Sequence, residues 1–375
     1  MKLSCLQENL ARALATVGRA VATRTTLPIT NNVLLATDQG RLKLAATNLE
    51  IAIVVWIGAK VDEEGSITVP ARILTEFVNS LPADRVDLKL QTKTKSLELK
   101  CARFQARLGG MDADDFPPIP DIDQGMSVKI KGDALKQTAA RVVFAAATED
   151  SRPVLTGVNA DFDGETLTLA AADGFRLSVD KVSLEQPVSE RISIIIPARA
   201  LHELSRLIGD SSDPVTITVN PAKSQVLFEA NDVRLTSQLI QGNFPNYAQL
   251  IPQGRNTRVL VDVEEFLRAT RAASIFARDA SGIVRLQMAK GEDGQARLAV
   301  SARAEEVGDD MAEVDAQMEG GDSKIAFNAK YLTDVLSVLA KGEVALETTS
   351  PSSPGLLRPA SGDFVHVVMP MFVQW

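Results

Sequence analysis

The sequence predicts an α+β protein of three similar segments, each carrying two helices on antiparallel sheets. Three observations carry that expectation. One stretch comes round three times: VPARILTEFVNSLP (69–82), IPARALHELSRLIG (196–209) and, more faintly, FNAKYLTDVLSVLA (327–340). Pro70, Pro197 and Asn328 hold the same place in each copy, offset by 127 residues (197 − 70) and then 131 (328 − 197). A period that long marks a domain repeat, since solenoid units run to about 20–50 residues. Strand-like runs separate the helices and break at Asp38-Gln39-Gly40, Asp163-Gly164 and Asp173-Gly174, tight turns of the kind that join antiparallel strands. The first two segments also close on similar proline-rich exits, GMDADDFPPIPD and GNFPNYAQLIPQ, which have linker composition.

Taken in order, residues 6–22 show helical spacing, with Leu6, Leu10, Ala13, Leu14, Val17 and Val21 on one face. NVLLAT, RLKLAAT and EIAIVVWI read as strands, and ITVP leads into the first copy of the recurring helix. Its apolar face is Ile73, Leu74, Phe77, Val78 and Leu81, with Pro70 expected in the first turn, where a missing N–H is harmless. VDLKLQT, SLELKC and ARFQARL follow as strands. The order restarts with a helix over 132–146, the strands VNADF, TLTLAA and FRLSVDKV, the second helix copy, and VTITV, QVLFEA and VRLTSQLI. VDVEEFLRATRAASIFA opens a third round, with GIVRLQMA and ARLAVSA as strands. An acidic loop around 305–310, the third helix copy, VALETT and FVHVVMPMF close it. The expected domains are 1–122, 127–252 and 254–375, each resembling two similar halves.

Composition is that of a soluble globular chain, 45% hydrophobic and 23% charged over 375 residues. No apolar run reaches the roughly 18 residues of a membrane helix. Glu8 and Arg12 interrupt the stretch where a signal peptide would be apolar. Cys5 and Cys101 make neither a zinc pattern nor a disulfide framework. A reduced cytoplasmic protein is therefore expected. The net charge of −8 argues against nucleic acid as a partner, but its distribution argues the other way. Arg12, Arg19, Arg72, Arg141, Arg199, Arg206, Arg268, Arg271, Lys330 and Lys341 fall on the non-core faces of the helices, with His202 and Gln137. Acids gather at helix starts (Glu8, Asp133, Glu264, Glu265), where the macrodipole favours them. If those faces converge, an acidic protein presents one positive surface.

Catalytic patterns are missing. His202 and His366 stand in no metal or triad spacing, and there is no phosphate-binding loop ending in Gly-Lys-Ser/Thr and no Gly-x-Gly-x-x-Gly turn. Asp112, Asp114 and Asp115, like Glu305, Glu306, Asp309 and Asp310, are expected as solvated loops. A metal-dependent nuclease would need acids or histidines clustered on neighbouring strands. A scaffold that binds peptides but no DNA would be a monomer or an open assembly. No cofactor, metal or catalytic residue is expected.

TLPITNNVLL, LAATNLEIAI, ITVPARILTEFV, DADDFPPIP, AADGFRLSV, GNFPNYAQLIP and VVMPM together resemble the bacterial DNA polymerase III beta subunit family, the sliding clamps, across essentially the whole chain. The resemblance implies the DNA-clamp fold, three domains per chain assembling as a head-to-tail homodimeric ring. Helices would line the hole around double-stranded DNA. It further implies tethering of the replicative polymerase alpha subunit, the clamp loader, other DNA polymerases and repair proteins through short linear peptides.

By similarity, DNA contacts would be Arg24, Arg72, Glu149, Pro153 and Val154, with Arg199 from the second helix copy; the 149–154 loop differs from relatives with glutamine and tyrosines there. The peptide cleft would use Leu155, Ala172, Gly174, Phe175, Arg176, Leu177, Pro245, Gln249, Leu250, Tyr331, Pro351, Ser353, Val367, Met369, Pro370 and Met371. The subunit contact would pair the strand with Phe104 and Leu108 against Ile275 and Phe276. The ending Phe372-Val373-Gln374-Trp375 departs from the family pattern and is expected to reshape the cleft rim through its aromatic surface.

Overall fold

The computed structural model describes residues 1–23, 25–149, 151–209, 212–278, 282–292, 294–304 and 308–375. Among the described residues there are six α-helices: α1 (Gln7–Val17), α2 (Ala71–Ser80), α3 (Gly132–Val143), α4 (Ala198–Ile208), α5 (Val263–Ala277) and α6 (Ala329–Leu339). The chain divides into two compact units. One holds Met1–Ala134, Leu184–Gln186 and Arg199–Leu239; the other holds Leu135–Ser183, Pro187–Ala198 and Ile240–Trp375.

Strand pairing explains why the division falls inside the second repeat. In the first unit, Val233–Gln238 pairs antiparallel with Ile51–Gly58, setting Leu235 opposite Ile53. This joins four strands of the second repeat to four of the first in one eight-stranded sheet. A separate five-stranded sheet runs Lys60–Glu63, Lys2–Leu6, Arg85–Gln91, Ser96–Cys101, Phe104–Gly109, leaving the last strand at an edge. In the second unit, Arg176–Ser183 pairs with Val365–Val368, Ser178 opposite His366, within a twelve-stranded sheet. Each half of the second repeat thus extends a neighbour's sheet, covering edges that would otherwise present unpaired amides.

The repeat is legible at single hydrogen bonds. Met111 N donates to Thr68 O, Ile240 N to Ile195 O and Met371 N to Ala326 O, at 2.9, 2.9 and 2.7 Å. Pro70, Pro197 and Asn328 each end an outermost strand (Ser66–Pro70, Ile192–Pro197, Ser323–Asn328) just before α2, α4 or α6. The prolines therefore close edge strands, where no ladder donor is missed, instead of entering the first helical turn as expected. Asn328 caps α6 by accepting from Lys330 N.

Several elements differ from expectation. The first helix, expected over 6–22, runs only Gln7–Val17 and a short turn Gly18–Ala20, and Leu6 ends a strand, Lys2–Leu6, that its helical spacing hides. The helix predicted to 146 stops at Val143. The predicted acidic loop falls partly on 305–307, outside the described residues; Asp309 and Asp310 lie in a long strand, Gly308–Gly320. That strand pairs with Ala296–Ala304 and also with Thr257–Asp262. Its Asp- and Glu-rich composition hides it, since partners on both sides override poor strand propensity.

Core packing follows the predicted apolar faces in part: Leu6 and Ile73, expected on them, are 58% and 53% exposed, because Leu6 precedes α1 at the end of the strand Lys2–Leu6 and Ile73 lies off the packed side of α2. Leu10, Ala13, Leu14 and Val17 of α1 and Leu74 and Val78 of α2 are at most 2% exposed. In the second unit Phe266, Ala273, Leu332, Val335 and Leu336 pack with Phe327, Leu346, Leu357 and Val368. No helix among the described residues is long and apolar enough to cross a membrane.

Candidate functional sites

A groove of 530 Å³ opens on the second unit. Its wall starts at the turn after Thr166–Ala172, where Asp173 Oδ1 accepts the amides of Phe175 and Arg176 at 2.9 and 3.0 Å. Gly174 turns at φ +96, a left-handed conformation that favours glycine. The turn leaves Phe175 58% exposed, while Phe175 O accepts from Met369 N at 2.8 Å. Met369 and Leu250 are 44% and 54% exposed, so three large apolar side chains stand open to solvent around one hollow. Leu177 and Val367 form its buried floor. Such a concave, mostly apolar site with few polar groups suits an apolar ligand or peptide side chains.

Of the sixteen cleft residues expected by similarity, Ala172, Gly174, Phe175, Arg176, Leu177, Gln249, Leu250, Ser353, Val367 and Met369 line this groove. The other six lie off its wall. Leu155 is 5% exposed within the turn Pro153–Thr156. Tyr331 stacks on Arg176 from α6, and Pro351 borders a neighbouring hollow with Lys324 and Met288. Pro245 is exposed on the exit loop, Pro370 is half-buried past the last strand, and Met371 is held by its amide on Ala326. Pro252, Gln253, Gly254, Thr349 and Pro354 line the groove without having been expected. The first three continue the stretch begun by Gln249 and Leu250, so proximity in sequence was the available signal.

The C-terminal extension does not rim the groove. Gln374 O accepts from Arg285 at 3.5 Å, and Lys324 Nζ lies 4.9 Å from the Trp375 ring centre. Both contacts draw residues 372–375 along the Ser323–Asn328 edge. Phe372 is 88% exposed, and neither it nor Trp375 is among the groove residues.

Among the helix cations, two meet acids from other segments. Arg141 donates to the buried Asp180 at 3.4 Å, and Arg19, its side chain still 35% exposed, to Glu203 Oε2 at 3.4 Å. Arg141 is thus a structural ion pair and not part of the solvent face that the periodicity suggested, whereas Arg19 is paired at the edge of that face. Arg12, Arg199, His202, Arg206, Arg268, Arg271 and Lys341 are exposed. So are Arg72, bonded to Glu76 at 2.8 Å, and Lys330, bonded to Asp334 at 2.7 Å. Arg24 lies outside the described residues. Glu149 and Pro153 are exposed and Val154 is half-buried. Phe104 is 49% exposed on the edge strand with half-buried Leu108, and Ile275 is 59% exposed on α5 beside half-buried Phe276.

The described residues hold no group of three or more His, Cys, Asp or Glu able to bind a metal. Asp112 accepts from Asp114 N and Lys95 Nζ, which pulls its carboxyl below the usual range. Cys5 and Cys101 are free and buried; burial pushes the Cys5 thiol up to about 12, far from a reactive thiolate.

The models of the DNA polymerase III beta subunit match the chain in order: the N-terminal domain over residues 1–120, the central domain over 129–246 and the C-terminal domain over 248–372. A beta sliding clamp of Bacillus subtilis is 31% identical over 382 residues, spanning 99% of both chains. One of Synechococcus elongatus is 33% identical over 376 residues, again 99% of both. The solved B. subtilis DNA polymerase sliding clamp superposes with a TM-score of 0.94 at 30% identity over 100% of both chains. The Pseudomonas aeruginosa sliding clamp bound to griselimycin gives 0.91 at 30% identity, also over 100% of both. With every segment matched at full length, the chain belongs to the DNA polymerase III beta subunit family, the non-catalytic beta sliding clamps of the replicative polymerase.

Proposed function

We propose that two copies of this chain close head to tail into a ring around double-stranded DNA and hold partner proteins through the groove at Phe175, Leu250 and Met369. The observation that carries this is the groove itself, an open apolar hollow in a family whose work is tethering. A griselimycin-bound relative supports its use as a ligand site. The chain is read as three clamp domains, 1–122, 127–252 and 254–375. The closing contact uses the edge strand with Phe104 and Leu108 on one copy and Ile275 and Phe276 on the other. The exposed apolar surface of Phe104 and Ile275 suits burial in an assembly.

Exposed helix cations, Arg72 and Arg199 among them, meet phosphates and read no sequence, so the ring slides. Arg24 and the 149–154 loop join that surface. The groove captures short linear peptides of the polymerase alpha subunit, the clamp loader and other polymerases and repair proteins, Met369 adapting to each. Capture turns re-association into an intramolecular step at raised effective concentration. The place of work is the cytoplasm, where the bacterial chromosome is copied.

Loading onto nicked circular plasmid followed by gel filtration tests the reading. Protein should co-elute with circles at twice the chain mass per ring and be lost when the circle is linearised. Equal retention on both forms would refute encirclement.

A further inference from the structure

Beneath the groove lies an ion cluster that tethering alone does not require. The Arg176 side chain reaches the groove yet is only 7% exposed. Nε donates to Asp173 Oδ2 at 3.0 Å and Nη1 to Asp334 Oδ2 at 2.7 Å. The guanidinium carbon stands 5.3 Å from the Phe144 ring centre and 4.6 Å from that of Tyr331. Asp173 is also the carboxylate that holds the turn presenting Phe175. The shape of the groove wall therefore depends on where Arg176 is held, and Asp334 holds its far end.

Asp334 Oδ2 has a second donor. Lys330 Nζ, one turn earlier on α6, approaches it at 2.7 Å and is 71% exposed. Two cations on one carboxylate oxygen each weaken the other's bond. The acid recurs at this place in the other copies, as Glu76 and Glu203, with Arg72 and Arg199 at the place of Lys330. Glu76 bonds Arg72 on an exposed surface, and Glu203 bonds Arg19 and Arg206. In the third copy the acid is divided between a groove-shaping arginine and an exposed lysine.

We propose that Asp334 is a positioning residue for the groove, and that Lys330 competes with Arg176 for its carboxylate. A phosphate that draws Lys330 away then tightens the groove's hold on a ligand. The inference rests on the reading of the groove as a partner site and of α6 as part of the DNA-facing surface. Linkage makes the effect reciprocal, so an occupied groove strengthens the phosphate contact by the same factor.

Griselimycin titrated calorimetrically against the full chain is the probe. Asp334→Asn should weaken binding by roughly tenfold, the loss of a charge-assisted bond, and Asp334→Glu should restore most of it. Lys330→Met should tighten binding by about twofold, the scale of a helix-surface pair. A short DNA duplex should tighten binding to the wild type and leave Lys330→Met unchanged. A purely structural Asp334 would move the first variant alone, so an unchanged Lys330→Met overturns the proposal, as does wild-type affinity in Asp334→Asn. Met369→Arg separates the two readings. Its loss of binding locates griselimycin in the groove, whereas retained binding removes the partner-site reading and the proposal with it.

Discussion

Acid should loosen the strand that floors the groove, and His366 gives the size of the effect. Its ring is fully buried on Val365–Val368, 5.3 Å from the Phe144 ring and stacked at 6.4 Å on Phe364. Nδ1 shares a hydrogen bond with Ser178 Oγ at 2.7 Å, while Nε2 has no partner. A proton on Nε2 would place an unpaired charge in an apolar site near Arg176. Burial first, and Arg176 second, lower the imidazole from 6.5 to about 3. The folded chain thus stays neutral there while the unfolded chain takes up a proton below pH 6.5. Because the unfolded state binds more protons between pH 6.5 and 3, stability falls as pH drops through that window. At about 1.36 kcal/mol per pH unit, the loss at pH 4.5 is about 2.7 kcal/mol. His366→Gln keeps a partner for Ser178 and removes the titration. Urea unfolding followed by far-UV circular dichroism from pH 7 to 4.5 should give a stability slope for the wild type that exceeds the variant's by that amount. Parallel slopes would refute the argument.

Arg141→Met should destabilise the second unit by about 3 kcal/mol at neutral pH, since it leaves a buried carboxylate unpaired. Asp180 is 4% exposed and burial already raises its pKa despite Arg141. Acidification should therefore shrink the deficit by protonating Asp180, and unfolding midpoints at two pH values check this. Deleting residues 372–375 should leave groove affinity for griselimycin unchanged, because those residues are held by Arg285 and Lys324 away from Phe175 and Met369. A change of threefold or more in the calorimetric constant would return the extension to the groove rim.

Much of the fold was legible because its signals are local. Helical spacing in α1, α2 and α6 reports which side chains are buried, and the turn at 173–176 is announced by an aspartate that can accept two amides and a glycine free to take a positive φ. The merging of half-repeats into common sheets was not legible. Pairing of Ile51–Gly58 with Val233–Gln238 joins residues about 180 positions apart, and nothing in either strand alone names its neighbour. The strand Gly308–Gly320 was lost for a related reason, since its pairing on both sides is decided elsewhere in the chain.

The charges show where a periodicity argument stops. A 3.6-residue pattern separates the face packed on a helix's own sheet from the opposite face, but does not say whether another element covers that opposite face. Arg12 and Arg19 lie seven residues apart on α1 and the turn after it, hence on nearly one stripe. Arg12 is exposed, whereas Arg19 meets Glu203 from a segment 184 residues away. Gln137 and Arg141 share a stripe on α3; Gln137 is exposed and Arg141 bonds buried Asp180. In both helices the residue nearer the C-terminal end meets an acid and the one a turn or two earlier meets water. An arginine read from sequence as a phosphate contact therefore needs a second condition, that no acid reaches it, whether from another segment or from its own helix. Arg199 and Arg72 differ in this respect, for Arg72 already holds Glu76. Replacing Glu76 by Gln should free Arg72 and steepen the salt dependence of DNA retention, while a slope equal to that of the wild type would exclude Arg72 from the phosphate contacts.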